Sequence, residues 1–248
     1  MDKLSIFGVI LAFSAVGFGH VFAGGSLDDL VNVHALTIVL GGTIGAVMLQ
    51  TPSKQFVQAL KVIPKVWFQS QDNVQNQIQL ILNWSHIVRK DGYLGLEQQQ
   101  KHADSFTLRG LQMLIDGAEA QQLQQSLEDV IDLEQSRLER QAGVFEAMGG
   151  YCPTVGIIGA VLGLIQAMDF LSSPELLGKG IAVAFVATIY GVGFANFIFL
   201  PFANKLRSQA GDRAIYQEMT LAGLVSIAEG ASSIEVKRRL HSFVVDID

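Results

Sequence analysis

The stretch AMGGYCPTVGIIGAVLGLIQAM at residues 147–168 decides the fold class, because its 22 positions contain no Asp, Glu, Lys or Arg. A membrane-spanning helix needs about 20 mostly apolar residues. Three further uncharged runs occupy residues 4–27, 30–53 and 180–204. Four such helices in a soluble protein of 248 residues would leave too little chain to cover them. The sequence therefore predicts an all-α polytopic membrane protein with four transmembrane helices and a helical cytoplasmic lobe.

Composition agrees with insertion into a membrane and argues against other classes. Charged residues make up 16% of the chain, against about 25% in soluble domains. The net charge of −6 argues against nucleic-acid binding, and a lone cysteine, Cys152, excludes a disulfide scaffold. The first run follows Lys3 and could be a cleaved signal peptide. Its apolar stretch, residues 4–22, is longer than the roughly 7–15 residues of such a peptide, which favours a retained span.

Basic residues predict the orientation of the spans. Nine of the 17 Lys and Arg residues lie in the middle segment and six in the tail, whereas the two short loops contain Lys179 alone. Cytoplasmic segments collect Lys and Arg, so both termini and the middle segment are expected in the cytoplasm. The expected division is a first helix pair at 1–49, a cytoplasmic lobe at 50–146, a second helix pair at 147–202 and a cytoplasmic tail at 203–248.

The middle segment has helical periodicity. Helices are predicted at residues 75–88 and 94–103, separated by a turn at Asp91-Gly92. A long helix is expected to run from the lobe into the third span. Asp104 and Ser126 are candidate helix-start residues, because each precedes an apolar helical run.

Chemistry-bearing clusters are not apparent in the sequence. The five histidines show no pair at metal-ligand spacing, and no glycine-rich phosphate loop follows a strand, so neither an enzyme nor a cofactor is predicted. Ionisable residues inside a membrane usually mark an ion path, yet the four span cores contain no Asp, Glu, Lys or Arg. An ion carrier with this sequence would need its acidic site from another chain.

Small residues in the spans recur at the spacing of helix contacts. Gly41 with Gly45 and Gly159 with Gly163 each form GxxxG, and Gly191 continues the pattern in the fourth span. Such faces let helices approach closely, either within one chain or between subunits. Pro153 and Pro201 each free a backbone carbonyl, which is consistent with an ordinary kink or with a hinge.

Residues 153–168, PTVGIIGAVLGLIQAM, resemble the third span of the MotA/PomA flagellar stator family. Residues 183–191, VAFVATIYG, followed by Ala195-Asn196 and Pro201, resemble its fourth span. The order of two spans, cytoplasmic segment, two spans and tail extends the resemblance over the whole chain. The short PomA-like branch, which includes MotC-type proteins, is most similar.

This resemblance implies an ion-conducting subunit of the flagellar motor in the bacterial inner membrane. Family members form a ring, understood as five subunits around two copies of a MotB/PomB-type partner. The partner's membrane helix supplies the ion-binding aspartate. Ion flow is thought to drive the ring, whose cytoplasmic lobe generates torque on the rotor protein FliG.

Individual roles also follow from the resemblance. Arg89 and Glu97 match rotor-contact positions and Lys90 contributes, although Gln98, Gln99 and Gln100 stand where relatives can carry acids. From the residues alone, Arg89 and Glu97 would be interpreted as a solvated helix face.

The resemblance assigns further positions to the ion path and its coupling to movement. Pro153 and Pro201 match the prolines that couple ion flow to lobe movement. Thr188 matches the pore threonine, and Thr154 is expected on the same path. Ala160 replaces a second threonine of sodium-type members. A hydroxyl there would help replace the hydration shell of sodium, so the sequence favours protons.

Two alternatives remain open on the sequence. An ExbB/TolQ-type proton-channel subunit energises outer-membrane processes, but such proteins usually have three spans with a large segment after the first. The paired spans before residue 50 argue against that reading. A non-conducting membrane scaffold would lack a neighbouring gene for a single-span protein with an intramembrane Asp.

Overall fold

A computed structural model describes residues 3–68, 73–171 and 174–245, and all regular structure within these ranges is helical. The predicted all-α membrane class is confirmed, because four helices among the described residues are long and apolar enough to cross a membrane. The main helices are α1 (Lys3–Phe22), α2 (Val33–Gln50), α3 (Ser53–Phe68), α4 (Val74–Asp91), α5 (Ser105–Ile115), α6 (Ala120–Met168), α7 (Pro174–Phe194), α8 (Leu200–Ala228) and α9 (Ser233–Val245). Short 3₁₀ segments occupy Leu27–Leu30 and Tyr93–His102, and a π-helical turn occupies Ala195–Phe199.

The chain folds into two compact units. The span unit comprises residues 1–69 and 139–207, and the lobe unit comprises residues 70–138 and 208–248. Helices α6 and α8 contribute residues to both units. The tail therefore belongs to the same compact unit as most of the middle segment.

The expected long helix into the third span is confirmed by α6, which is 49 residues long. Ser126 is not a helix start, because α6 begins six residues earlier, at Ala120. The apolar side chains Leu123 and Leu127 are fully buried in the lobe unit. Burial of Leu123 stabilises the helix ahead of Ser126 more than a cap at Ser126 would.

The segment after α4 differs from its prediction. Residues 94–103 were expected to form an α-helix, but Tyr93–His102 is a 3₁₀ helix. Leu96 is buried, and Tyr93 and Gln99, three residues to either side of it, are half-buried, as are Gly95 and Gln100. The spacing of Tyr93, Leu96 and Gln99 matches the three residues per turn of a 3₁₀ helix. The predicted turn is confirmed at Gly92, whose φ of 73° suits a residue without a Cβ atom.

The lobe unit has a continuous apolar core. Fully buried side chains from several helices meet there, including Trp84, Leu111, Leu127, Leu224 and Leu240. A small polar group is enclosed with them: the Gln77 side-chain amide donates to the hydroxyls of Thr107 (3.2 Å) and Thr220 (3.1 Å). Pairing of these buried polar groups offsets the cost of removing them from water.

Asp104 links two helices of the lobe unit. Its Oδ1 accepts hydrogen bonds from the backbone N–H groups of Phe106 and Thr107, both at 2.9 Å, so the predicted helix start is confirmed. Its Oδ2 accepts from the Tyr216 hydroxyl of α8 at 3.1 Å, and Arg213 lies 3.6 Å from Oδ1. One carboxylate thus caps α5 and holds α8 against it.

Replacing Asp104 by alanine is expected to destabilise the purified protein. Loss of a helix cap costs about 0.5–2 kcal/mol, and the hydroxyl of the buried Tyr216 also loses its hydrogen bond to Asp104. For a protein of this size each kcal/mol lowers the melting temperature by about 2–4 °C. Asp116→Ala, at an exposed position just after α5, is the matched control for thermal melting. Equal melting temperatures for the two variants would contradict this role of Asp104.

Candidate functional site

Helices α6 and α7 pack backbone against backbone through glycines. A Cβ atom built on Gly191 would lie 2.8 Å from the Cys152 carbonyl oxygen and 2.9 Å from the Gly156 Cα. One on Gly163 would lie 2.8 Å from the Ala184 backbone nitrogen. Any side chain at these positions would push the two spans apart.

The other predicted packing glycines divide into two groups. Gly159 lies in the same interface, since an added Cβ would be 2.9 Å from the Ala187 Cβ. Gly41 and Gly45 on α2 are exposed, and an added Cβ at either meets no atom within 4 Å. The structure therefore brings Gly159, Gly163 and Gly191 together, whereas Gly41 and Gly45 of the first GxxxG face away from every described part of the chain.

Pro153 and Pro201 both lie in long helices that contribute to the span unit. Pro153 lies inside α6, and its Cα is 3.3 Å from a Cβ built on Gly191. Pro201 follows the π-helical turn, where the Leu200 N–H donates to the carbonyl of Ala195, five residues earlier. Proline has no N–H for the carbonyl four residues before it, and its ring crowds that carbonyl. The wider turn is a local accommodation of Pro201, and π-helical turns often occur at functional sites.

The residues predicted for the ion path are not joined by hydrogen bonds to one another. The Thr188 hydroxyl donates to the Ala184 carbonyl oxygen at 3.2 Å, and the Thr154 hydroxyl donates to that of Tyr151 at 2.8 Å. Ala160 is half-buried on α6. Both hydroxyls are therefore bound to their own helices, and each keeps lone pairs that can accept a hydrogen bond.

Thr188 lines a cavity of about 640 Å³ between α1, the α1–α2 connection and α7. Its wall is almost wholly apolar and includes Phe13, Val16, Leu30 and Phe197. Such a wall offers water few hydrogen-bonding partners. The side chains around this cavity therefore give it an apolar wall that carries no charge.

Tyr190 is a contact residue that sequence reasoning did not assign. Its hydroxyl donates to the Leu30 carbonyl oxygen at 2.6 Å and accepts from the Asn32 N–H at 3.0 Å. These bonds satisfy two backbone groups of the α1–α2 connection, which matters where water is scarce. The sequence feature that could have indicated this contact is the single tyrosine, Tyr190, within an apolar span.

Arg207 forms the second contact that sequence reasoning missed. Its guanidinium binds the carboxylates of Glu139, at 3.2 Å, and Glu146, which joins α8 to the part of α6 next to the third span. The hydrogen bond from Arg207 lowers the pKa of Glu146 below its ordinary value, and the two carboxylates raise the pKa of Arg207. Arg207 is 68 positions from Glu139 and 61 positions from Glu146 in the sequence, so no local pattern indicated the pairing.

The predicted rotor-contact residues lie at the end of α4 and on the 3₁₀ helix that follows it. Arg89 and Lys90 are exposed in the last turn of α4, and Glu97 is exposed on the following 3₁₀ helix. A Cβ built on Gly95 would lie 2.6 Å from Ile87, so this segment folds closely against the end of α4. The Arg89 guanidinium donates to the Ala231 carbonyl oxygen at 3.0 Å. Arg89 thus also anchors the turn before α9.

Together these features define a class: a four-span helical membrane protein whose third and fourth spans form a close-packed pair. Residues 98–219 match the MotA/TolQ/ExbB proton channel family, and residues 6–92 match the Motility protein A N-terminal family. Motility protein A of Bacillus subtilis is 32% identical over 98% of this chain and 91% of that protein. Chemotaxis protein PomA of Vibrio alginolyticus is 29% identical over 98% of this chain and 96% of PomA.

Comparison of structures agrees with the sequence matches. A chain of the Campylobacter jejuni MotAB structure superimposes with a TM-score of 0.92 at 29% identity, covering 98% of this chain and 96% of that one. The protein belongs to the MotA/PomA family of flagellar motor stator subunits. The match at residues 6–92 also favours this family over the ExbB/TolQ alternative, because it covers the paired spans before residue 50.

Proposed function

We propose that this chain couples inward proton flow to rotation of the flagellar motor. The observation that carries the proposal is an apolar cavity beside Thr188 in a chain whose span cores contain no carboxylate. A proton path through such a wall needs an ionisable group. A MotB-type single-span partner supplies it as an aspartate, in keeping with the MotAB composition of the similar structure.

A ring of several copies around the partner fits the absence of a carboxylate in the span cores of this chain. Five copies around two partner chains would surround each partner aspartate with third and fourth spans. Exposed aliphatic side chains on α6 support packing against further helices, and Ile157, Ile158 and Ile165 are each more than half exposed. Both termini and the lobe unit face the cytoplasm of a bacterial inner membrane, consistent with the distribution of Lys and Arg.

Torque transfer is assigned to Arg89, Lys90 and Glu97. Both signs of charge are exposed within the short stretch from residue 89 to residue 97. Complementary charge aids encounter and fixes register more than it adds affinity. Those properties suit a contact with the rotor protein FliG that forms and releases repeatedly. The movement would reach the lobe through α6 and α8, which contain Pro153 and Pro201 and contribute residues to both units.

Proton selectivity is tested by swimming speed in a strain whose only stator is this chain with its partner. Speed is expected to follow the proton motive force and to ignore external sodium, because Ala160 offers no hydroxyl to replace sodium hydration. A matched strain with a sodium-type stator gives the control response. A rise in speed with sodium at fixed proton motive force would contradict the ion assignment, while torque generation itself would stand.

A further inference from the structure

Helix α3 carries positive charge without any acidic residue near it in sequence. No Asp or Glu occurs from residue 30 to residue 71. Within this stretch α3 contains three lysines, and the side chains of Lys54 and Lys61 are exposed. The local charge is thus opposite to that of the chain as a whole, which is −6.

The same helix has more apolar surface than its own unit covers. Ala59 is fully buried and Val66 is 2% exposed, so one face of α3 packs inward. A second set remains open to the surroundings: Val57 is 48% exposed, Leu60 42% and Ile63 37%. These three residues are spaced three apart, so they form a stripe along the helix.

Contacts place α3 next to the membrane boundary. Gln50, the last residue of α2, accepts a hydrogen bond from the Tyr151 hydroxyl at 3.1 Å, near the start of the third span. Three residues later α3 begins, and the Gln55 side-chain amide donates to the Arg140 carbonyl oxygen of α6 at 2.9 Å. Helix α3 also belongs to the span unit rather than to the lobe unit. It therefore leaves the second span directly and packs beside the third where that span begins.

We propose that α3 lies in the headgroup region of the cytoplasmic leaflet and binds anionic phospholipid of the phosphatidylglycerol type. The stripe of Val57, Leu60 and Ile63 enters the boundary of the acyl chains, as in other interfacial amphipathic helices. Lys54 and Lys61 attract the lipid phosphates, and no carboxylate in the surrounding sequence opposes them. The proposal uses the cytoplasmic placement of the middle segment but is independent of which ion is conducted.

Two features of α3 indicate that lipid covers its exposed stripe: its positive charge and its direct connection to the second span. An exposed aliphatic stripe joined to a membrane span is continuous with the hydrocarbon phase that surrounds that span. A water-facing role would leave three large apolar side chains exposed next to the bilayer. Positive charge at the edge of the stripe favours an anionic headgroup over a zwitterionic one.

The test uses the complete complex with its partner in lipid nanodiscs. A fluorescent label is attached to a cysteine at Leu60→Cys, because the native Cys152 is buried and protected from the label. Brominated phosphatidylglycerol and brominated phosphatidylcholine then serve as quenchers in separate samples. Both brominated lipids are expected to quench the fluorescence of the label at Leu60→Cys. Brominated phosphatidylglycerol should do so at a lower fraction of the total lipid than brominated phosphatidylcholine. A label at Leu133→Cys, an exposed apolar position of the lobe unit, provides the comparison.

Two double variants test whether the lysines of α3 are needed for the preference for anionic lipid. Lys54→Gln with Lys61→Gln is expected to reduce the preference for phosphatidylglycerol by about fivefold per lysine. Lys101→Gln with Lys237→Gln removes the same charge from exposed positions of the lobe unit and should leave the preference unchanged. Equal quenching by the two lipids would overturn the anionic assignment. Quenching no stronger at Leu60 than at Leu133 would show that another protein surface covers the stripe, and would overturn the proposal entirely.

Discussion

Replacing Gly191 by alanine is expected to separate the third and fourth spans and to abolish or strongly reduce swimming. The added methyl group would lie 2.8 Å from the Cys152 carbonyl oxygen and 2.9 Å from the Gly156 Cα. Both are backbone atoms and cannot rotate away as a flexible side chain can. Overpacking of this kind typically costs about 1–3 kcal/mol, and the displaced helices carry the proposed ion path.

Gly193→Ala is the matched control on the same helix. A Cβ atom at Gly193 meets no other atom within 4 Å. Alanine in an open helical position is favoured over glycine by about 0.5–1 kcal/mol, so this variant should be as stable as the parent or more so. Soft-agar swimming, the amount of protein in membranes and thermal melting of the purified complex give three readouts. Normal swimming and melting for Gly191→Ala would contradict the backbone contact.

The second large effect is expected for Pro201→Leu, which should abolish swimming while leaving the amount of membrane protein normal. Leucine restores an N–H that can donate to the carbonyl of Phe197, four residues earlier. The π-helical turn at Ala195–Phe199 then loses the residue that favours it. A continuous α-helix is at least as stable, so the defect should lie in coupling rather than in folding. Pro153→Leu in α6 is expected to behave in the same way.

Pro64→Leu gives a matched control, because Pro64 also lies inside a helix but outside the third and fourth spans. This variant should swim normally. Membrane fractions, swimming speed and the switching of tethered cells separate lost coupling from lost protein. Full swimming of Pro201→Leu would contradict the coupling role, and a missing protein band would instead indicate a folding role.

Much of the fold was predictable because its signals are local. Uncharged runs of span length depend only on consecutive residues, as does the turn at Gly92. The helix start at Asp104 was likewise predictable, since a cap bonds to backbone two and three residues ahead. The start proposed at Ser126 was wrong, because Leu123 gains more from burial in the lobe core than a cap supplies.

The candidate site was predictable only in part. Resemblance to a family nominated Thr188, Pro201 and Arg89, but it did not show that Arg89 bonds to the Ala231 carbonyl. The Arg207 cluster and the Tyr190 hydroxyl bonds join residues between 61 and 160 positions apart. No periodicity within a helix encodes such a pairing, because its partners meet only after the helices have packed.

By itself, the sequence determined that the chain spans a membrane four times, that its spans lack an acidic group, and which glycines could let helices approach. Those properties follow from the cost of burying charge in hydrocarbon and from helical spacing. Only the tertiary structure decided which glycines are used: Gly163 and Gly191 lie against backbone, whereas Gly41 and Gly45 face outward. The reason is that GxxxG specifies a surface on one helix, and the contact depends on which second helix the rest of the fold brings to it.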